Sequence, residues 1–381
     1  MKYLIIIVLQ FTMFCACSNN DPEPTVETPT VQSLKHYIEQ VRPDFKIGVF
    51  FNDHPGNKEP HLDFIKSNFN AVTLGVYMKG NQPAEGTYDF SSTTPRLNFA
   101  LDNQMWIKLH PVFGHNTYNP EWLVNGNYTG QQLSDIMEGR IDTLLSLYGN
   151  DVDALDVVNE AVPWDSKGTI WDEETAKNKW LELGFKEQGG KKWPVFIDHA
   201  FRTAKEHKDQ GVQFILNENN NSQSNSLRAN NFFEAVKILL DNGVPLDGVG
   251  MQMHWSVKNG VVKQSHSGVG AVLDLESIRN TIKMYGDMGL DVHISEFDVH
   301  LPENPTTADY DLQAKTYRDI LKIALESPAC KSFITWGTAD KKGWAPTGYN
   351  PHALWLDDDF KPKKNFHETL QMVKALQEND L

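Results

Sequence analysis

Two glutamates each follow a short apolar run, and this pairing is the feature of the sequence that most suggests chemistry. Glu160 ends the run in DALDVVNEAV, and Glu296 ends the run in DVHISEFDVH. Two carboxyl groups facing one cleft can hydrolyse a glycosidic bond, because one protonates the leaving oxygen while the other attacks or stabilises the sugar cation. A single glutamate after a strand more often caps a helix or pairs with a lysine, so the neighbouring residues must decide.

Eight strand-like runs separated by helix-like segments could bring the two glutamates together. Ala154–Val158 and Val292–Ile294 are apolar without polar alternation, which is typical of buried parallel strands. Segments such as Phe232–Leu240 repeat apolar residues at helical spacing, and Gly243 and Gly289 follow two helices as C-caps. Eight such units predict a single (β/α)8 TIM barrel of the α/β class, whose strand ends converge on one cleft. The predicted strands are Phe45–Phe51, Ala71–Val76, Met105–Val112, Ala154–Asn159, Gln213–Asn217, Gly248–His254, Asp291–Ser295 and Ser332–Gly337.

Polar or aromatic residues follow most of these strands. A purely structural barrel has little reason to collect them, because every buried polar group needs a partner. Amides, histidines and carboxylates around a tryptophan floor suit a sugar, whose hydroxyls need hydrogen bonds and whose C–H faces stack on rings. In chain order these residues are Lys79, His110, His115, Asn159, Glu160, Asn217, Glu218, Gln252, His254, Glu296, Asp298, Trp336 and Trp344.

Other chemistries find less support in the sequence. His254, Glu296 and Asp298 could supply metal ligands, but no H-x-x-x-H or H-E-x-x-H spacing supports a metal site, and we expect neither metal nor cofactor. A serine hydrolase would need a G-x-S-x-G elbow. An open doubly wound sheet would need a glycine-rich phosphate loop after its first strand, which Phe50–Gly56 does not provide. The net charge of −15 argues against a nucleic-acid partner.

The N-terminal residues predict export. Residues 1–17 resemble a bacterial lipoprotein signal that ends at a lipidated Cys17, and an ordinary secretory signal cut nearby is the alternative. Asp21–Thr30 alternates proline, threonine and acid, which predicts an extended tether over residues 18–32. The catalytic domain is then 33–381, and we expect a monomer anchored by lipid in a bacterial cell envelope. Cys330 alone would remain in the domain, as a buried thiol without a disulfide partner.

Four longer runs carry a family resemblance. They are DVVNEA at 156–161, GVPLDGVGMQMH at 243–254, VHISEFDV at 292–299 and ITWGTADKKGW at 334–344. On these runs the chain resembles glycoside hydrolase family 10, the retaining endo-β-1,4-xylanases. The resemblance implies hydrolysis of internal β-1,4 linkages of xylan or a xylan-like polysaccharide, by double displacement through a glycosyl-enzyme intermediate.

The resemblance also implies a role for each site residue. Glu160 is the general acid/base, Glu296 is the nucleophile, and Asn159 bonds the sugar 2-hydroxyl. His254 bonds Glu296, and Asp298 orients the imidazole of His254. The residues implied to bind substrate are Lys79, His110, His115, Asn217, Gln252, Trp336 and Trp344. Glu160 must be protonated before cleavage and ionised after it, and a retaining pair predicts carboxyl groups about 5–5.5 Å apart.

The chain departs from the family pattern around the sugar-binding side. The family's Glu-Asn-x-Met-Lys-Trp reads Gly75–Gly80 here, its His-Thr-Leu-Val-Trp-His reads His110–His115, and its Asn-Asp-Tyr-Asn reads Asn217–Asn220. The substrate could therefore be a decorated xylan or another β-linked glycan, and a non-hydrolytic glycan-binding lipoprotein is a further alternative. The longer stretch Trp164–Trp193 either rebuilds one side of the cleft or forms a surface insertion.

Overall fold

Eight parallel strands close into a barrel, which confirms the predicted (β/α)8 fold. The computed structural model of the protein describes residues 33–52, 61–163, 169–207, 211–265 and 271–379. Its strands are β1 Lys46–Phe50, β2 Ala71–Gly75, β3 Trp106–His110, β4 Ala154–Asn159, β5 Phe185–Gln188, β6 Lys191–Pro194, β7 Gln213–Asn219, β8 Gly248–Gln252, β9 His254–Lys258, β10 Val261–Gln264, β11 Asp291–Pro302, β12 Cys330–Thr335 and β13 Tyr349–Asn350. Its helices are α1 Leu34–Val41, α2 His61–Asn68, α3 Met78–Asn81, α4 Thr94–Asp102, α5 Glu121–Val124, α6 Gly130–Tyr148, α7 Val195–Lys205, α8 Leu227–Asp241, α9 Leu275–Asp287, α10 Thr307–Glu326 and α11 Lys364–Asn379.

The barrel strands follow one another in chain order as β1, β2, β3, β4, β7, β8, β11 and β12, and β12 pairs with β1 to close the ring. All six residues of β4 are buried, because the strand has the barrel interior on one face and helices on the other. The helices begin and end where local chemistry predicts. Thr129 and Gln132 form a capping box at the start of α6, and Gly243 and Gly289 take positive φ after α8 and α9.

One part of the barrel rim is more extended than the sequence predicts. After β8 the chain enters an antiparallel hairpin of β9 and β10, whose turn at Asn259-Gly260 has positive φ at both residues. β11 continues to Pro302, and its outer half pairs with β9 so that Asp298 lies opposite His254. The hairpin therefore sets the register between two residues of the candidate site.

The N-terminal predictions concern residues 1–32, which lie outside the described residues. Lipid attachment at Cys17 and the tether at 18–32 therefore stay predictions. Within the described ranges, no helix combines the length and apolar character needed to cross a membrane. Cys330 is a buried free cysteine in β12, and burial raises the pKa of its thiol to about 12, so it behaves as a small apolar residue.

Candidate active site

Glu160 directly follows β4 at the carboxyl end of the barrel. Its backbone is left-handed, with φ of 58°, and its N–H donates to the carbonyl of Asn217 at 2.9 Å. The carboxylate is 7% exposed and both of its oxygens accept hydrogen bonds, Oε1 from Asn219 Nδ2 at 3.0 Å and Oε2 from the Tyr118 hydroxyl at 3.2 Å. The side chain is thus held in one orientation by the last residue of β7 and by the loop after β3.

Opposing effects act on the pKa of Glu160. Burial alone raises it, but the His115 ring 3.9 Å from Oε2, the Asn219 amide and Arg228 outweigh burial and hold the pKa below its usual value. His115 also approaches the Glu160 main chain, with Nε2 2.7 Å from the carbonyl oxygen. The neighbours of Glu160 therefore favour its ionised form.

Glu296 lies within β11 and has a different set of partners. Asn217 Nδ2 donates to Oε1 at 2.7 Å, and His254 Nε2 lies 3.2 Å from Oε2. His110 Nε2 is 3.7 Å from Oε1. The Glu296 carboxylate is therefore held by one amide and faces two imidazole rings.

His254 and Asp298 form a buried ion pair behind Glu296. Asp298 Oδ2 lies 2.9 Å from His254 Nδ1 and also accepts from Trp344 Nε1 at 3.0 Å. Burial opposes charge on both groups, but each partner stabilises the other, so the pKa of His254 rises to about 10 and that of Asp298 falls well below its usual value. His254 therefore presents a protonated Nε2 to Glu296. In the described part of the chain, no group of three or more His, Cys, Asp or Glu residues is arranged to hold a metal ion.

Asn217 links the two glutamates through a network of amides. Its Nδ2 donates to Asn159 Oδ1 at 2.9 Å as well as to Glu296, and its Oδ1 accepts from the Ser295 hydroxyl at 2.6 Å. Gln252 Nε2 donates to the same Asn159 oxygen at 3.0 Å. All of these residues are buried, so their rotamers are fixed before any substrate arrives.

Charged residues inside the barrel fix the orientation of His110. Asp156 Oδ2 lies 2.7 Å from His110 Nδ1 and 2.9 Å from the ammonium of Lys108. Burial raises the pKa of Asp156, but Lys108 and His110 outweigh it and lower the pKa overall. The resulting carboxylate fixes the His110 ring so that its other nitrogen faces Glu296.

Aromatic rings surround these polar groups. Trp336 is half-buried, stacks on Phe50 with centroids 4.2 Å apart, and meets His110 edge-on at 5.1 Å. Trp344 meets His254 edge-on at 5.2 Å. Lys79 lies at the start of α3 with an exposed side chain, and its backbone N–H donates to the Tyr118 carbonyl. Of the residues implied to bind substrate, Lys79 alone has an exposed side chain.

Three residues that act on the candidate acid/base were not singled out from the sequence. Tyr118 and Asn219 donate to its carboxylate, and Arg228 lowers its pKa through its charge. Asn219 lies in the run Asn217–Asn220, which departs from the family pattern, and this departure could have indicated a changed residue at the site. Tyr118 and Arg228 lie in a loop and on α8, where neither periodicity nor spacing indicates the direction of a side chain.

Arg228 holds the loops around Glu160 together. Its guanidinium donates to Glu218 Oε1 at 2.7 Å and to the carbonyls of Val162, Pro163 and Asn219. Glu218 is fully buried, and its second oxygen accepts from the Val162 N–H at 2.9 Å. The loop after β4 and the end of β7 are thereby joined through one ion pair.

Replacing Arg228 by alanine should lower the free energy of unfolding by about 3–5 kcal/mol, because it leaves the Glu218 carboxylate buried without its cation. Urea unfolding followed by tryptophan fluorescence measures the change. Arg279→Ala is the matched control, since its Glu326 pair is 42% and 39% exposed and should contribute about 1 kcal/mol or less. Equal losses in the two variants would show that the Arg228 pair contributes no more than a surface pair.

The described part of the longer stretch supports the loop that carries His115 and Tyr118. Trp171, Trp180 and Trp193 are buried in the core, and β5 and β6 form a hairpin on the surface. The Asn116 N–H donates to the Lys177 carbonyl, and Asn116 Oδ1 accepts from the Lys179 N–H, both at 2.8 Å. The stretch therefore braces one side of the cleft and contributes none of these three rings to its surface. Residues 164–168 lie outside the described residues.

The sequence and the fold both match one group of known proteins. The family model described as Glycosyl hydrolase family 10 matches residues 33–372. Endo-1,4-beta-xylanase B of Thermotoga neapolitana is 30% identical over 325 residues, covering 83% of this chain and 84% of that enzyme. Endo-1,4-beta-xylanase A of Caldicellulosiruptor saccharolyticus is 28% identical over 351 residues, covering 86% and 93%.

Solved structures agree with these matches. The crystal structure of native xylanase 10B from Thermotoga maritima has a TM-score of 0.77 at 28% identity, covering 91% of this chain and 99% of that one. Xylanase 10B from Thermotoga petrophila in complex with xylobiose has a TM-score of 0.76 at 27% identity, covering 91% and 98%.

Proposed function

The chain belongs to glycosyl hydrolase family 10 and is a xylanase-like O-glycosyl hydrolase, and from this premise we propose that it cleaves internal β-1,4 linkages of xylan or a xylan-like polysaccharide with retention of configuration. One observation carries the proposal at the level of the site. The main-chain carbonyl of Asn217 accepts from the Glu160 N–H, and its side-chain amide donates to the Glu296 carboxylate, so one residue contacts both glutamates. The two carboxylates are both buried and have different partners. Two such carboxylates are what double displacement needs.

In the first step Glu296 attacks the anomeric carbon while Glu160 gives its proton to the departing oxygen. His254 and Asn217 donate to Glu296 and hold its carboxylate in place for the attack. The bonds described for the Asn159 carboxamide end on its Oδ1, so its N–H groups serve the sugar 2-hydroxyl. This bond strengthens as the ring flattens towards the oxocarbenium ion.

In the second step water attacks the glycosyl-enzyme, and Glu160, now ionised, takes a proton from that water. The neighbours that lower the pKa of Glu160 favour the ionised form that this basic role needs. For the acidic role its pKa must rise when the sugar displaces water from the cleft, because exclusion of water penalises the charged form. Substrate binding and protonation of Glu160 are therefore coupled.

The substrate proposal depends on the relatives, and the departures in this chain limit it to a class. The relatives are named endo-1,4-β-xylanases, and the chain keeps two tryptophans and His110 beside Glu296. The runs Gly75–Gly80 and His110–His115 differ from the family pattern on the side that binds the non-reducing sugars. A xylan-like main chain with decorations fits this combination.

A single experiment tests both substrate and stereochemistry. Purified protein should release reducing sugars from xylan faster than from other β-linked glycans, and proton NMR should show the β-anomer as the first product. The α-anomer as first product would mean that water attacks directly and that Glu296 is not the nucleophile. Activity confined to a different glycan would overturn the xylan assignment and leave the mechanism standing.

A further inference from the structure

We propose that Tyr118 is a positioning residue for Glu160, and that the absence of a side chain at Gly114 is what allows it to take that place. The inference rests on the proposed function, because it concerns the acid/base of that reaction. Gly114 lies where the family pattern His-Thr-Leu-Val-Trp-His has its tryptophan. The residue that replaces the lost ring comes from four positions further along the same loop.

The ring of Tyr118 fills the space beside Gly114. A Cβ atom added to Gly114 would lie 2.6 Å from Tyr118 Cδ2 and 3.1 Å from Cε2. Real Cβ atoms do not approach other atoms so closely, so any larger residue at Gly114 must displace the ring. The Tyr118 ring can therefore occupy this place only because position 114 has no side chain.

The loop around Tyr118 is held on both sides. Tyr77 stacks on its ring, with centroids 5.5 Å apart and planes 29° apart. The Tyr118 carbonyl accepts from the Lys79 N–H, and its own N–H donates to the His115 carbonyl, both at 2.9 Å. Asn116 ties the same loop to the chain around Lys177. The hydroxyl is consequently placed before substrate binds, as a positioning role requires.

The hydroxyl can serve Glu160 in both of its protonation states. Towards ionised Glu160 it donates to Oε2, while Asn219 donates to Oε1. When Glu160 is protonated, the phenol oxygen can instead accept a hydrogen bond from the carboxyl O–H, because a hydroxyl both donates and accepts hydrogen bonds. Burial and the charges of Glu160 and Glu296 raise the pKa of Tyr118 far above its usual value, so the phenol keeps its proton at any working pH.

Several other groups act on the charge of Glu160. They are His115 of the same loop, Glu218 and Asn219 in β7, Gln252 in β8 and Arg228 on α8. Tyr77 packs against Tyr118 and stays neutral, because burial and the charges of Glu296 and Glu160 raise the pKa of its phenol. None of them is altered when the Tyr118 hydroxyl alone is removed. A shift in the titration of Glu160 on that change is therefore assigned to the Tyr118 bond.

Direct titration of Glu160 tests the proposal. In protein carrying ¹³C-labelled glutamate carboxyls, with Glu160→Gln identifying the signal, Tyr118→Phe should raise the pKa of Glu160 by about one pH unit, because a donor to the ionised form is lost. Tyr77→Phe is the matched control, since it removes the same hydroxyl from the other ring of the stack and should leave the pKa in place. Equal pKa values in the two variants would overturn the proposal.

A second variant tests the proposal if Tyr118→Phe does not fold. Gly114→Ala pushes the Tyr118 ring away and should also raise the pKa of Glu160, whereas an unchanged pKa would overturn the assignment. In kinetics, the basic limb of kcat/KM should move to higher pH in both variants, because Glu160 stays protonated longer. The NMR titration needs no turnover, so it tests the role of Tyr118 even if the wild-type protein hydrolyses no glycan. A wild-type protein without any hydrolytic activity would refute the proposed function and not the role of Tyr118.

Discussion

Replacing Glu296 by alanine is expected to lower kcat on xylan by about 10⁴-fold or more, since it removes the proposed nucleophile. The substitution also leaves the protonated His254 without one of its two carboxylates, while Asp298 still compensates its charge. We therefore expect a folded protein that binds xylan and does not turn it over. Reducing-sugar release and isothermal titration calorimetry measure the two properties.

Glu303→Ala is the matched control, because Glu303 is an exposed glutamate just beyond the end of the same strand. It should retain wild-type turnover. A wild-type protein that binds xylan without turnover, and that is unaffected by Glu296→Ala, would instead be the glycan-binding lipoprotein considered above. Substantial turnover in Glu296→Ala would remove Glu296 from the mechanism.

Replacing Glu160 by alanine should affect substrates unequally. On xylan, whose sugar leaving group needs a proton, we expect kcat/KM to fall by about 10²–10⁴-fold. On an aryl xyloside with an acidic phenol the first step needs little acid, so the glycosyl-enzyme should form and accumulate because no base activates water for the second step. Mass spectrometry of the intact protein would show this intermediate.

Azide provides the test of the basic role, because an anionic nucleophile needs no proton removed. It should restore turnover of the aryl xyloside by Glu160→Ala and release a glycosyl azide of retained configuration. Glu187→Ala, on the exposed hairpin of β5 and β6, serves as the control and should behave as wild type. Equal losses on xylan and on the aryl xyloside would argue against Glu160 as the acid/base.

The barrel could be predicted because its strands are recognisable one by one. A run such as Ala154–Val158 is mostly apolar without polar alternation, which is typical of a strand covered on both faces. The outer half of β11 could not be predicted in the same way, since Asp298 and His300 resemble the start of a loop. They are buried because β9 pairs with this part of β11. The Asn259-Gly260 pair, which is typical of a hairpin turn, was the one indication of β9 and β10 in the sequence.

Some residues of the candidate site could be predicted from the sequence and others could not. Residues such as Glu296 and His254 are placed by the ends of strands, so the order of the strands already brings them together. Tyr118 is placed by a gap at Gly114 and a stack on Tyr77, which depend on how two loops fold against each other. A linear pattern carries no information of that kind.

The left-handed backbone of Glu160 has a consequence for stability. A side chain other than glycine, asparagine or aspartate at such a φ costs about 1–2 kcal/mol, so the backbone at this position favours glycine over glutamate. The carboxyl group at the end of β4 is therefore obtained at the expense of local backbone stability.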